Sequence, residues 1–140
     1  MGDLEEAIIL GREALDFRPQ GHPDRSESLY NLAADLATRH NRLGAMVDLD
    51  EAIILDREAL VLRPQGHPYR SVSLNGLSVF LSTRYNQLGA MQDLDEAIVL
   101  NREALVLRPP GDPDRSTSLN NLAVSLSTRY NQLGGDGGPR

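Results

Sequence analysis

The sequence contains no cysteine, no tryptophan and no lysine, and aromatic residues fill only 4% of its 140 positions. Without cysteine there are no disulfides, thiolate metal sites or cysteine nucleophiles, and the setting expected is intracellular and cytoplasmic. With few aromatics there are few large core anchors, so the apolar 40% suits thin helical layers rather than a thick globular core. Positive charge is also scarce. The net charge of −6 argues against nucleic acid as a partner, because phosphate binding needs a basic surface. No stretch approaches the roughly 18 apolar residues that a membrane span requires, so no membrane partner is expected. The opening Met1-Gly2-Asp3-Leu4-Glu5-Glu6 lacks the basic and apolar regions of a signal peptide, and Glu6 does not suit a myristoylation start.

What the sequence has in abundance is itself. Asp3-Leu4-Glu5-Glu6-Ala7-Ile8 returns as Asp48-Leu49-Asp50-Glu51-Ala52-Ile53 and again as Asp93-Leu94-Asp95-Glu96-Ala97-Ile98, a period of 45 residues. Of 42 aligned positions, 33 are identical between the second and third copies and 28 between the first and second, far beyond chance.

Each copy reads as two helices. In the first, Asp48 is the expected N-cap and Glu51 completes a capping box, as do Asp3 with Glu6 and Asp93 with Glu96. Leu49, Ala52, Ile53, Ala59 and Leu60 follow at the spacing of an amphipathic stripe. Pro64, like Pro19 and Pro109, ends the helix, and the Gly- and Pro-containing loop after it reads as a turn. The second helix is expected from about Arg25 to Leu43, Arg70 to Leu88 and Arg115 to Leu133. Leu29, Leu32, Ala33, Leu36 and Leu43 are its apolar face, repeated by Leu74, Leu77, Leu81 and Leu88, with Asp24, Asp114 or the serines at 26, 71 and 116 competing to cap it. Gly44, Gly89 and Gly134 sit where a C-cap needs a left-handed residue, and the next helix is expected three to five residues on. A helix pair this small cannot cover its own stripe, so successive pairs must stack. The expected fold is an all-α solenoid of three helix pairs, with repeats at about 3–47, 48–92 and 93–134 in a domain of residues 1–134, and a flexible tail at 135–140.

These copies resemble the tetratricopeptide repeat, in the longer variety found in kinesin light chains and fungal arrays. Ser73-Leu74-Asn75-Gly76-Leu77-Ser78 and Ser118-Leu119-Asn120-Asn121-Leu122-Ala123 match the family's first helix, and Gly21-His22-Pro23-Asp24 its preceding loop. Ala52, Ala59, Leu60 and Pro64 match its second. The period of 45 departs from the common 34, and the order is offset, so the chain starts with the family's second helix and ends with its first. The resemblance implies a non-catalytic scaffold that takes a peptide or partner protein in a concave groove lined by the first helices. Groove candidates by motif position are Tyr30, Ala34 and Thr38, then Asn75, Val79 and Thr83, then Asn120, Val124 and Thr128, with Asn31 and Asn121 adjoining. Asparagine there can donate to and accept from a peptide backbone, or equally can bond neighbouring repeats or water. Some relatives clamp a C-terminal carboxylate with Lys and Asn, a mode that the lack of lysine leaves unsupported.

Other candidates read as structural. Arg39, Arg84 and Arg129 recur at the stripe's edge and are expected to pair with helix acids such as Glu58 and Glu103. His22 and His67 lie in equivalent loops, roughly 20 Å apart in a stack of this kind and too far for one ion; no metal and no cofactor is expected. Phe80 fills a slot held by Asp35 and Ser125 and is expected at the surface. His40 breaks the repeat where Tyr85 and Tyr130 stand, but without a catalytic neighbour, and no phosphate loop or nucleophile–base set appears. Met1 aligns with Met46 and Met91, so the chain is either a stretch of a longer array or complete with unpaired ends. Those ends suggest an alternative function, head-to-tail assembly into oligomers or filaments through Leu4, Ile8, Leu126 and Leu133.

Overall fold

The computed structural model describes residues 2–134, so the tail expected at 135–140 lies outside the described residues. Six helices account for most of them: α1 (Asp3–Asp16), α2 (Arg25–Leu43), α3 (Met46–Leu62), α4 (Arg70–Leu88), α5 (Met91–Leu107) and α6 (Arg115–Gln132). Among the described residues there is no strand. Each helix packs on the next, and α2 with α3 and α4 with α5 make the most extensive contacts. Direct backbone approaches skip one helix only within the set α2, α4 and α6. That layer is the more tightly spaced of the two, so the stack curves towards it. The molecule is an all-α solenoid.

The two tight hairpins differ from expectation. Only Gly44-Ala45 and Gly89-Ala90 separate the helices, because α3 and α5 begin at Met46 and Met91. Gly44 and Gly89 close α2 and α4 in the left-handed region, at φ 77° and 76°, and their N–H groups bond the carbonyls of His40 and Tyr85 at 2.7 Å. Ala45 and Ala90 hold the N-cap positions. Asp48 and Asp93 therefore lie inside their helices, and Asp3 opens α1 behind Gly2, so the expected capping boxes do not form. Asp24 and Asp114 occupy N-cap positions without a side-chain cap bond.

Leu49, Ile53, Leu74, Leu77, Leu81, Ala97, Leu100 and Ala104 form one buried cluster, and Ile8, Leu32, Ala33, Leu36, Ala37 and Ala52 another. Phe80 is half-buried and packs against both, which corrects the surface placement expected for it. Its slot lies where two junctions meet, and a large ring reaches both cores.

Ion pairs repeat with the same period as the core. Arg39 donates to both carboxylate oxygens of Asp48 at 2.9 Å and to Glu5 at 2.8 Å, so it ties α1, α2 and α3 together. Arg84 does the same with Asp93 and Asp50, while among the described residues Arg129 reaches only Asp95, at 3.4 Å. The arginine holds the Asp48 carboxyl below the ordinary carboxylate range. Glu58 and Glu103, expected as partners of those arginines, instead accept from Arg25 and Arg70, each at 2.6 Å. Arg12 with Glu51 and Arg57 with Glu96 make the third set.

Candidate functional site

In α2 and α4 the leucine face turns into the stack, and in α2, α4 and α6 residues four apart lie on another face. Leu29, Leu32 and Leu36, and Leu74, Leu77 and Leu81, are all at most 2% exposed. Ala34 and Thr38, Val79 and Thr83, and Val124 and Thr128 stand clear of that packing. Between α4 and α6, with α5 beneath, the latter two pairs border an open cavity of about 170 Å³. Val79, Thr83, Asn121, Val124 and Thr128 of the expected residues line it, together with Ser78, Tyr85, Leu94 and Asn101, which sequence reasoning missed.

Their chemistry is neutral throughout. Val79 and Val124 are 41% and 58% exposed and offer methyl groups. The hydroxyls of Thr38, Thr83 and Thr128 donate to the carbonyls of Ala34, Val79 and Val124, each at 2.9 Å, so their protons are committed to their own helices. What they present outward is a methyl group and an acceptor lone pair. At the floor, Ser78 donates to Asn101 Oδ1 at 2.9 Å. Asn121 donates to Asn75 Oδ1 at 3.1 Å across the α4–α6 gap. Part of the asparagine set thus ties neighbouring repeats together, and Asn120 and Asn31 are exposed outside the cavity.

The corresponding space between α2 and α4 is filled differently. Asp56, at the position of Asn101, is fully buried, and neither carboxylate oxygen has a hydrogen-bond partner. Burial pushes its carboxyl up to about 7, against a smaller opposing pull from Arg63. Ala33 stands where Ser78 stands in the next copy, so no hydroxyl reaches the acid. Gly76 replaces the asparagine of the other copies, and a Cβ there would lie 2.9 Å from Asp56 Oδ2 and 3.4 Å from the Tyr30 ring. The glycine is what allows the acid to fit. Tyr30 is half-buried here, with the Arg63 guanidinium 5.4 Å from its ring centroid. Arg63 itself is buried and donates to Ser73 Oγ at 3.0 Å. The one trace of this arrangement in the sequence is that positions 11, 56 and 101 read Gly, Asp and Asn amid otherwise matching neighbours.

The loop histidines have a local task. Nδ1 of His22 and of His67 accepts the backbone N–H of Asp24 and Tyr69 at 3.0 Å, and Asp112 Oδ1 accepts that of Asp114 at 2.8 Å. An imidazole nitrogen and a carboxylate oxygen are interchangeable acceptors in that turn. Among the described residues no group of three or more His, Asp or Glu is placed to hold a metal ion. His40 is buried, and its Nδ1 donates to the Ala45 carbonyl at 3.0 Å. No helix among the described residues is long and apolar enough to cross a membrane.

The self-association candidates fall in different environments. Leu4 is half-buried against the Ile8 cluster, and Leu126 packs partly on Leu94, Ile98 and Tyr85. Ile8 is only 2% exposed, already covered within the chain, and is therefore not a free contact residue. Leu133 is exposed.

No curated protein and no solved structure gives a significant match to the chain. The family of the tetratricopeptide repeat matches residues 71–114, the segment that holds α4 and α5 with the loop on either side of α5. Nothing in the match singles out the kinesin light chain variety. The matched segment holds one of the two extensively packed hairpins of the fold, and its near-copies stack on both sides of it in the same manner. Residues 71–114 are a tetratricopeptide repeat unit, and the near-copies on either side continue the same all-α repeat stack.

Proposed function

We propose that the chain is a non-catalytic scaffold that binds a partner protein through its concave face, taking a neutral peptide segment between α4 and α6. The family's usual role in protein–protein contact supports the general reading. The observation that carries the specific one is the uncharged cavity bordered by Val79, Thr83, Val124 and Thr128. Its volume of about 170 Å³ holds one or two small side chains. It is well below the roughly 300–1,000 Å³ of small-molecule sites. Methyl groups favour apolar side chains, and the serine and asparagine groups around them suit a peptide backbone.

Panning a displayed peptide library against the chain tests this reading. Retained peptides are expected to be neutral and apolar at their anchor positions, with affinity little changed by salt because no charge lines the site. Val79→Arg with Val124→Arg, both at exposed positions, should abolish retention while circular dichroism stays native. Retention undiminished by that double change would refute the groove.

A second reading, self-assembly through the terminal helices, is favoured by a separate observation. Among the described residues, the groups that each internal junction brings together are left without one another at α1 and α6.

A further inference from the structure

Every internal junction is held by the same three arginine–carboxylate pairs. Arg39–Asp48 and Arg84–Asp93 are bidentate, Arg25–Glu58 and Arg70–Glu103 lie near the loops, and Arg12–Glu51 and Arg57–Glu96 run along the outer layer. Advanced by one period, the arginines become Arg129, Arg115 and Arg102. Moved back by one period, the acids become Asp3, Glu13 and Glu6. Among the described residues those three acids have no partner and Arg102 has none. Within that same described set, Arg115 donates only to the carbonyls of Leu105 and Arg108, and Arg129 keeps only the half of its bridge that faces Asp95. One end carries the unmatched cations and the other carries the unmatched anions, in one register.

The apolar groups follow. Leu119 and Tyr130 are 48% and 51% exposed on α6, where their counterparts Leu74 and Tyr85 on α4 are 0% and 7% exposed beneath α5. Leu4 and Leu126 are half-buried, whereas Leu49, Leu94, Leu36 and Leu81 in the same positions are at most 2% exposed. Leu133 drops out of the seam, since Leu43 and Leu88 stay 71% and 63% exposed even where a helix follows.

We infer that α1 of a second copy of this chain docks on α6, completing the Arg129–Asp3, Arg115–Glu13 and Arg102–Glu6 pairs and covering Leu119, Leu126 and Tyr130. This names the contacts of the end-to-end reading and rests on it. It is independent of the groove, because Val79, the counterpart of Val124, remains exposed with α5 in place. The contact is heterologous, so it propagates into open chains of molecules unless the rotation closes a ring. Arginine–carboxylate geometry sets the register, and the apolar seam supplies the adhesion.

Sedimentation velocity across a concentration series tests the inference with a charge exchange. The 140-residue chain should show a mass that rises with concentration and falls with added salt. Arg129→Asp alone and Asp3→Arg alone should each remain monomeric with native circular dichroism, because each sets like charges together at the junction. An equimolar mixture of the two should regain association, since each junction in an alternating chain again pairs opposite charges. Val79→Arg with Val124→Arg should leave association unchanged, which separates this contact from the groove. A native chain that stays monomeric throughout, or folded single variants whose mixture fails to associate, would overturn it. So would loss of association in the groove variant.

Discussion

Asp56 is a carboxyl group buried without a donor, so its ionisation is a cost borne by the folded state alone. Folded, it keeps its proton up to about pH 7. Unfolded, it loses the proton near pH 4. Between those values the folded chain binds more protons than the unfolded one, so stability falls as pH rises through that window and levels off above it. The span corresponds to roughly 4 kcal/mol as an order of magnitude. Asp56→Asn combined with Ala33→Ser rebuilds the Ser78–Asn101 pair of the next junction. Urea unfolding of that double variant should show no such decline from pH 5 to about 8 and a higher midpoint at the alkaline end. A pH dependence equal to that of the native chain would mean that another group titrates. The sequence carried one trace of this acid, the change from Gly to Asp to Asn at positions 11, 56 and 101, but an aspartate on a helix among charged neighbours reads as solvated. Its burial involves Gly76 and Tyr30, distant in the chain, and Ala33 leaves it without the hydroxyl that Ser78 gives Asn101. That Val79 with Thr83 and Val124 with Thr128 share a helix face was legible, since a spacing of four on a helix leaves them one direction.

At the scale of the element, the six helices followed from the period, the leucine stripes and the Pro and Gly positions. The second helix of each copy ran almost as expected, because its left-handed glycine fixes its end. The starts of α3 and α5 were misplaced for a physical reason. An acid near a helix start has two stabilising options, the free N–H groups or a nearby guanidinium, and the sequence does not show that Arg39 and Arg84 lie within reach. Gly44→Ala and Gly89→Ala introduce a Cβ that meets nothing within 4 Å, so only the left-handed backbone opposes them. Each should lower the unfolding free energy by about 1 kcal/mol in urea titration, a cost of conformation rather than contact. Leu81→Ala, at a fully buried site shared by α4 and its neighbours, should cost about 2–5 kcal/mol in the same titration. Equal effects at Gly89 and Leu81 would contradict the packing described.

On the scale of the whole molecule, stability is a sum of what each helix contributes alone and what it gains from its neighbours. The inner helices α2, α3, α4 and α5 are covered on both sides, whereas α1 buries only Ile8 and α6 only Ser118 and Ser125. Near-identical sequences thus stand in unequal environments, a difference that no copy-by-copy reading reveals. The most direct measurement is native-state hydrogen exchange of the dilute chain, resolved by helix. The stacked arrangement requires the slowest exchange in α3 and α4 and the fastest in α1 and α6, despite their shared sequence. Equal protection of α2, α4 and α6 in the dilute chain would mean that the copies fold as independent units, and would contradict the stack on which the groove and the end-to-end contact both depend.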